Sequence, residues 1–418
     1  MAQTSLASWL SYIEGQHPSE IELGLNRGSA VLARLNLSRP KCKVITVAGT
    51  NGKGSTCAML TQYLSSQGYS VGTYTSPHFL AFNERIALND SPCDDDVICR
   101  AFEAVEAARE GISLTYFEFS TLAALWVFDQ SKLDYWVLEV GLGGRLDSVN
   151  MIDTDVAVVS SISLDHFDWL GDNIDVIAQE KTGIARKGKL LISGVVNPPS
   201  TIASTALEIG ANLRQKGQDF NFELDQNSWS WSGNDVYFEN LPVPSLPLQN
   251  AATVIAVLVY MGLSPAHADL VDLFSKAQLM GRFQKVATSP DVYIDVAHNP
   301  EAAIELANRI STLPRKPVAV CGMLKDKDVA SVMVHLADSF SDWFCSDLAG
   351  PRGAKADELI RHIAHSSPSL GLSAMAFNSV SDALSAALVK AEADQRSVIV
   401  FGSFVTVSDY LALNQSKE

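Results

Sequence analysis

The segment VITVAGTNGKGST, residues 44–56, joins a β-branched run to a helix-like pattern through a glycine-rich turn. Glycine lets backbone N–H groups approach phosphate oxygens, the start of a helix favours negative charge, and Lys53 adds a point charge. The hydroxyl residues that follow could face a magnesium ion. The spacing departs from GxxxxGK[ST], because two residues separate Gly49 from Gly52. An ordinary βα-turn is the alternative, but the flanking strand and helix favour a nucleotide-phosphate site.

Three further β-branched runs carry a polar residue at or just beyond their ends, namely Ser76, Glu139 and His166. Ligands of open parallel sheets bind beyond the carboxyl ends of the strands, so these side chains would share one crevice with Lys53 if the strands are neighbours. Each has a simpler interpretation. Glu139 could be a charge on an edge strand, and His166 could belong to a solvated loop.

Two more positions could bear chemistry. Lys181 lies in a helical window, where the residues alone favour a surface lysine. Asp295 and His298 follow a strand-like run and precede Pro300 at a helix start, which suits either a ligand-binding βα-loop or a capped turn. The run GLGGRLD is not a GxGxxG dinucleotide fingerprint, and neither HExxH nor GxSxG occurs.

Short β-branched runs alternate with amphipathic windows, and this alternation predicts an α/β fold with mostly parallel sheets. The predicted strands are 43–48, 70–75, 135–140, 156–161 and 190–196, and the predicted helices include 55–67, 94–110 and 119–131. Residues 221–249 predict an antiparallel excursion. We expect a P-loop-type domain over 1–284, a linker at 285–291 and a smaller Rossmann-like α/β domain over 292–418.

The composition excludes several classes of function. The 418 residues include 31 Lys and Arg against 47 Asp and Glu, a net charge of −16. Such a chain repels a phosphate backbone and an anionic membrane, so neither nucleic acid nor a membrane is an expected partner. The N-terminus lacks a basic region typical of a secretory signal. The six scattered cysteines suggest reduced thiols and a cytoplasmic location.

Ten motifs of this chain resemble, in order and approximate spacing, those of folylpolyglutamate synthases. They are GTNGKGS, TSPH, FNERI, TYFEFST, LEVGLGGRLDSVN, SLDHFDWLG, EKTGI, GRFQ, DVAHNP and GPRGA. The chain is most similar to the bacterial bifunctional dihydrofolate synthase/folylpolyglutamate synthases, which belong with the Mur ligases. The resemblance covers about residues 6–410, and EKTGI departs from the commoner EKAGI at Thr182 only.

The resemblance implies an ATP- and magnesium-dependent amide ligase with two Mg²⁺ ions. ATP would phosphorylate a carboxylate to an acyl phosphate, and the amine of L-glutamate would displace the phosphate. The acceptors would be dihydropteroate, giving dihydrofolate, and the γ-carboxylate of reduced folates. A monomer is the family expectation.

The resemblance also assigns site residues, position by position. The ATP contacts are Thr50, Asn51, Gly52, Lys53, Gly54, Ser55, Asn250, Arg282, Asp295 and His298. The metal ligands are Ser76, Glu139 and His166, and Lys181 matches a carbamylated lysine (N6-carboxylysine). Lys53, Lys181, His166 and Glu139 form the catalytic set. The pterin contacts are Glu22, Leu23, Gly24, Leu25, Thr115, Tyr116, Phe117, Glu118, Leu146, Asp147 and Ser148.

Three alternative functions stay open at this stage. The first is a monofunctional folylpolyglutamate synthase, although the segment IELGLNR at 21–27 resembles the pteroate-contacting segment of bifunctional members. The second is a ligase that acts on UDP-linked cell-wall substrates, against which TYFEFST and LDHFDWLG favour folate. The third is a regulatory P-loop NTPase, which would need neither glutamate nor a pteroate for turnover.

Overall fold

A computed structural model describes residues 4–19, 21–37, 40–165, 167–366 and 373–415 of the chain. The contacts divide the chain into two compact units, Met1–Ala277 and Gln278–Glu418. Each unit has its own main sheet, and we describe each unit by itself. Within the described ranges, none of the helices combines the length and the apolar character needed to cross a bilayer.

The helices of the first unit are α1 Leu6–Glu14, α2 Asn26–Arg34, α3 Lys53–Ser66, α4 Asp95–Arg109, α5 Tyr116–Ser131, α6 Phe167–Leu170, α7 Ile174–Thr182, α8 Ser200–Ile209, α9 Leu248–Tyr260 and α10 His267–Lys276. Its strands are β1 Lys43–Ala48, β2 Val71–Tyr74, β3 Ile86–Leu88, β4 Ser91–Pro92, β5 Tyr135–Glu139, β6 Val156–Val159, β7 Leu190–Ser193, β8 Asn212–Gln215, β9 Phe220–Leu224, β10 Ser228–Gly233 and β11 Val236–Pro242.

The main sheet of the first unit has the strand order β4-β3-β2-β5-β1-β6-β7-β8 among the described residues. The strands from β2 to β8 in this order are parallel, and β3 and β4 add an antiparallel edge. Strands β5 and β6 are buried along their whole length, as expected where helices cover both faces of a parallel sheet. The predicted mostly parallel α/β fold is confirmed.

Gly52 is the last residue of the loop that follows β1 and adopts a left-handed conformation, with φ of +80°. This conformation, which glycine adopts readily, lets α3 begin at the next residue. Cys57, Leu60 and Leu64 are fully buried along this helix. The helix therefore holds the turn by packing apolar side chains rather than by a side-chain cap.

The predicted antiparallel excursion at 221–249 corresponds to a three-stranded sheet with the order β11-β10-β9. Trp229 and Trp231 alternate with polar residues along β10 and are buried, so one face of this sheet packs inward. The indole of Trp231 donates a hydrogen bond to the Ala252 carbonyl at 3.0 Å, which joins the small sheet to α9.

The helices of the second unit are α11 Pro300–Ser311, α12 Val329–Leu336, α13 Ala356–Ser366, α14 Val380–Asp394 and α15 Phe404–Gln415. Its strands are β12 Gln284–Thr288, β13 Asp291–Ile294, β14 Val318–Cys321, β15 Asp342–Ser346, β16 Ser373–Phe377 and β17 Val398–Phe401. The strand order is β12-β13-β17-β14-β15-β16 in the described residues, and β12 is the antiparallel strand.

The predicted linker at 285–291 is wrong. Residues Gln284–Thr288 form β12, which pairs with β13 in a hairpin across the turn at Ser289 and Pro290. The segment does contain the predicted turn, but this turn connects two strands of one sheet. The boundary between the units lies at Ala277 and Gln278, directly after α10.

Candidate functional site

The strands that precede the predicted site residues are neighbours, in the order β2-β5-β1-β6. Lys53 follows β1, Glu139 ends β5, and Ser76 follows β2. The backbone N–H of Ser76 donates a hydrogen bond to Oε2 of Glu139 at 3.1 Å. Adjacent parallel strands thus bring these residues to one edge of the sheet, as the sequence predicts. His166 lies outside the described residues.

The loop between β1 and α3 packs closely against neighbouring side chains. Gly49 has a φ of +154°, and a Cβ atom there would lie 1.9 Å from Oγ of Ser160. A Cβ atom on Gly52 would lie 2.4 Å from Oδ1 of Asn250, so the structure brings this predicted ATP contact directly onto the loop. These two glycines are required because larger residues would collide with the neighbours that shape the loop.

A serine-rich segment after β6 supports the loop and was not singled out by the sequence reasoning. Oγ of Ser161 accepts a hydrogen bond from the N–H of Asn51 at 2.9 Å, and the Thr50 hydroxyl donates to the Ser163 carbonyl at 3.0 Å. Ser160 donates to the Asn51 carbonyl at 2.6 Å. The available signal was the run of serines directly after an apolar strand end.

Two lysine side chains meet at one backbone carbonyl of this loop. Nζ of Lys53 donates to the Gly49 carbonyl at 3.0 Å and to the Thr50 carbonyl at 3.2 Å. Nζ of Lys181 donates to the same Gly49 carbonyl at 3.1 Å. Lys181 is buried, with 5% of its surface exposed, so the interpretation as a surface lysine is wrong. Helix α7 brings it to the loop across 132 residues of sequence.

Burial, and after it the nearby charge of Lys53, lowers the pKa of Lys181 to about 7, although the carboxylates of Asp165, Asp147 and Glu180 oppose the shift. A substantial fraction of this amine is therefore neutral near neutral pH. The cleft beside it is lined by Gly49, Thr50, Lys53, Gly141, Leu142, Gly143, Asp165, Leu170 and Lys181. A neutral amine is a nucleophile, whereas an ammonium group is not.

Two features make the residues present suitable for a divalent metal. Oγ of Ser55 is buried in the first turn of α3 and meets no hydrogen-bond partner among the described residues. The carboxylate of Glu139 is buried at the neighbouring strand end. Oxygen ligands of this kind suit Mg²⁺. The described residues contain no group of three or more His, Cys, Asp or Glu side chains that could hold a metal by themselves.

The three predicted pterin-contact segments also lie together. The N–H of Gly24 donates to the Leu146 carbonyl at 3.2 Å. Glu118 and Thr115 form a reciprocal capping box at the start of α5. The ring of Phe117 lies so close to Gly141 that a Cβ atom there would be 2.5 Å from it. These contacts join residues 22–25 to residues 146–148 and place residues 115–118 against Gly141, directly after the strand end that carries Glu139.

Asp147 in this surface is buried and accepts hydrogen bonds from the N–H groups of Leu142 and Val149, both at 2.9 Å. Burial raises its pKa to about 6, although the backbone donors oppose this shift. Asp147 therefore fixes the turn after Glu139 through its two backbone partners.

The second unit brings Arg282, Asp295 and His298 into one neighbourhood. The Asp295 carboxylate accepts hydrogen bonds from the N–H groups of Phe283, at 2.8 Å, and Ala297, at 2.7 Å. Burial raises the pKa of Asp295, and the positive charge of Arg282 opposes that shift. Nδ1 of His298 lies 2.7 Å from the Val296 carbonyl. The carboxylate thus orders both the loop that carries Arg282 and the turn that carries His298.

The Mur ligase middle domain matches residues 47–240, and the Mur ligase, glutamate ligase domain matches residues 281–404. The Escherichia coli dihydrofolate synthase/folylpolyglutamate synthase is 46% identical over 409 residues, which cover 97% of this chain and 95% of the relative. The chain belongs to the dihydrofolate synthase/folylpolyglutamate synthase family. The Haemophilus influenzae member is 40% identical and covers 99% of this chain and 98% of its own length.

Solved structures of this family share the fold. E. coli FolC in complex with DHPP and ADP superposes with a TM-score of 0.94 at 44% identity, covering 100% of this chain and 99% of its own. A bifunctional folylpolyglutamate synthase/dihydrofolate synthase with Mn, AMPPNP and L-glutamate bound gives a TM-score of 0.90 at 43% identity, covering 99% of both chains. The resemblance inferred from the ten motifs is confirmed. The individual site assignments stay predictions.

Proposed function

We propose that this chain uses ATP to join L-glutamate to dihydropteroate, giving dihydrofolate, and also to the γ-carboxylate of reduced folates. Membership of the family makes it an ATP-dependent amide ligase. The observation that carries the assignment is the convergence of Lys53 and Lys181 on the Gly49 carbonyl beside the buried Glu139. The family relationship disfavours a regulatory NTPase and a ligase of UDP-linked substrates.

The reaction must turn a carboxylate, a poor electrophile, into an acylating agent. Transfer of the γ-phosphoryl group of ATP to the acceptor carboxylate gives an acyl phosphate and ADP. The amine of L-glutamate then forms the amide bond, loses a proton and displaces inorganic phosphate. Phosphoryl transfer depends on positioning and charge neutralisation. The Gly49 to Ser55 loop would cradle the phosphates through its N–H groups, and Lys53 would leave the Gly49 carbonyl to contact them.

We assign Ser76, Glu139 and His166 to the binding of two Mg²⁺ ions. Bound magnesium would neutralise phosphate charge and orient the phosphoryl group. The buried, unpartnered hydroxyl of Ser55 supports a ligand at the loop, and the hydrogen bond from Ser76 to Glu139 holds two of the assigned residues together. His166 is assigned on the family motif alone.

We assign Lys181 as a carbamylated lysine. Its neutral amine would add to the carbon of CO₂, forming an N–C bond and releasing a proton, so that a cation becomes an anionic oxygen ligand. The burial of this amine and its pKa of about 7 support the assignment, because the addition needs the neutral form. The carbamate would lie next to the loop that Lys53 occupies.

The remaining assignments follow the family motifs. The nucleotide would contact Thr50, Asn51, Gly52, Lys53, Gly54, Ser55, Asn250, Arg282, Asp295 and His298. The pterin acceptor would contact Glu22 to Leu25, Thr115 to Glu118 and Leu146 to Ser148. The contact between Gly52 and Asn250 supports the first set, and the hydrogen bond from Gly24 to Leu146 supports the second.

Mass spectrometry of the products tests the proposal directly. Purified protein is incubated with ATP, Mg²⁺ and L-glutamate, with dihydropteroate as the only acceptor in one reaction and a reduced folate monoglutamate in another. Products one glutamate heavier are expected in both reactions, with one ADP released per bond. Product from the folate alone would reduce the chain to a monofunctional folylpolyglutamate synthase. ADP release without either acceptor would contradict a ligase.

We also propose that the protein acts as a cytoplasmic monomer, without nucleic-acid or membrane partners. The six cysteines are free thiols, which suits a reducing compartment, and the net charge of −16 opposes binding to polyanions. Light scattering of the purified protein should give a mass near 45.1 kDa. A mass of twice that value would contradict the monomer.

A further inference from the structure

Arg27 on helix α2 links two separate segments of the predicted acceptor surface through both ends of its guanidinium group. Nη2 lies 3.2 Å from Oε1 of Glu118, and Nε lies 3.4 Å from Oε2 of the same carboxylate. Nη1 pairs with the carboxylate of Glu22, and Nη2 also donates to the Glu22 carbonyl at 3.0 Å. Ninety-one residues of sequence separate Arg27 from Glu118, so this pairing joins α2 to α5.

The burial of these groups shows which of the two ion pairs contributes more to stability. The Glu118 side chain is 2% exposed, that of Arg27 is 25% exposed, and that of Glu22 is 47% exposed. Oε1 of Glu118 accepts no hydrogen bond within the described ranges, and Arg27 is the cation beside it. A buried carboxylate without a nearby cation is strongly destabilised. The Glu22 pair is half-exposed and weaker.

Glu118 also belongs to the first turn of α5. Its Oε2 accepts a hydrogen bond from the N–H of Thr115 at 2.8 Å, and its own N–H donates to the Thr115 hydroxyl at 3.2 Å. Arg27 is therefore bonded to the capping box that shapes residues 115–118, while its Glu22 contacts fix the start of residues 22–25. A lysine could neutralise one carboxylate but lacks the planar fork that reaches both.

We infer that Arg27, which lies in segment 21–27 but is not one of the predicted pterin contacts at 22–25, is a positioning residue for the pterin acceptor and fixes residues 22–25 and 115–118. The inference rests on the proposed function, because it takes those segments as the acceptor surface. Lys53 and the phosphate loop receive no bond from Arg27 in the described structure. Loss of Arg27 should therefore weaken acceptor binding and leave nucleotide binding and the chemical step largely intact.

The test compares Arg27→Ala, Arg27→Lys and a control, Arg34→Ala, in the full chain. Arg34 lies on the same helix and anchors it to α4 through the carbonyls of Ala108 and Arg109, both at 2.9 Å. Steady-state kinetics are measured with dihydropteroate and ATP varied in turn. Arg27→Ala should raise KM for dihydropteroate at least tenfold, lower kcat less than threefold and leave KM for ATP unchanged. Arg27→Lys should lie between Arg27→Ala and the wild type.

Two results would overturn the inference. One is an unchanged KM for dihydropteroate in both Arg27 variants. The other is an equal rise in KM for Arg34→Ala, since general loosening of α2 would then explain the effect. If Arg27→Ala does not fold, an unaltered KM in folded Arg27→Lys counts against the inference and a selective rise supports it. A wild-type protein that makes no product from dihydropteroate would instead contradict the proposed function. The wild-type activity is therefore measured before any variant is compared.

Discussion

The proposed phosphate loop and the proposed acceptor surface lie in the same unit but are built in different ways. The loop at residues 49–55 is supported by serine hydroxyls, and its own Lys53 and Lys181 of α7 both donate to the Gly49 carbonyl within it. The acceptor surface, residues 22–25, 115–118 and 146–148, includes two segments linked by the side chains of Arg27, Glu22 and Glu118.

This difference suggests how one chain could use the same phosphoryl-transfer site with two different acceptors. A cradle made of backbone amides recognises any phosphate and depends on glycine and on two cations. A surface joined by side-chain ion pairs depends on particular residues from distant segments. We therefore expect changes at the phosphate loop to lower kcat, and changes at the acceptor surface to raise KM for the acceptor.

The largest effect is expected from the phosphate loop. Lys53→Ala and Glu139→Ala should each lower kcat about 10³-fold, because each removes a charge that we propose acts on the transferring phosphoryl group or its metal. The melting temperature should change little. Lys43→Ala is the control, since Lys43 starts β1, the strand that leads into the loop, and its side chain is 63% exposed. A near-normal ligase rate in either variant would contradict the assignment of that residue to the phosphate site.

Lys181→Ala should lower kcat about 10²-fold or more, because it removes the proposed carbamate. Formate or acetate added in solution should restore part of the activity, and intact-mass or ¹³C measurements with labelled bicarbonate should detect the adduct in the wild type only. Carbamylation should increase as pH rises through about 7, where the amine becomes neutral. A wild-type lysine that shows only an unmodified ammonium with magnesium and nucleotide bound would contradict the assignment.

The unmodified lysine should also make stability depend on pH. Without CO₂, its pKa is about 7 in the folded chain against 10.5 when it is solvated, so the unfolded chain binds more protons between these values. The free energy of unfolding should therefore rise with pH from about 7 to 10.5. Below pH 7 the folded chain should carry the full cost of burying the ammonium group. Lys181→Met should remove this rise, which chemical denaturation at several pH values would reveal.

A smaller effect is expected at the start of α5. Thr115→Val removes the hydroxyl that accepts from the Glu118 N–H and should cost about 1 kcal/mol of stability. It should also raise KM for dihydropteroate a few-fold, because Glu118 loses one of the contacts that orient it. Thr115→Ser retains the cap and serves as the control. A loss of kcat without a change in acceptor KM would show that the two regions are not separable.

The smallest effect should come from Glu22→Gln. This half-exposed partner of Arg27 contributes about 0–1 kcal/mol, as surface ion pairs do, so KM for the acceptor should rise less than threefold. The small rise should diminish in high salt, where exposed charges are screened. An effect as large as that of Arg27→Ala would mean that Glu22, rather than Glu118, is the partner that matters.

The sequence by itself determined the local units of this protein. The run 43–48 is the strand it predicted, the glycine-rich turn starts α3, and the antiparallel excursion at 221–249 is present, because periodicity and turn chemistry act over a few residues. The motif order was sufficient to establish the family. The turn at 289–290 was also recognised, but not that it joins β12 to β13, since strand pairing is a property of the sheet.

Only the tertiary structure decided where the charges lie. From the residues alone, Lys181 resembles a surface lysine, and Arg27 lies in segment 21–27 without a predicted role of its own. In the fold, one is buried against Gly49 and the other pairs with a carboxylate 91 residues away. Local patterns cannot encode these contacts, because burial and ion pairing depend on which elements pack together. The free-energy cost of burying a charged group, and hence its pKa and its role, follows from that packing.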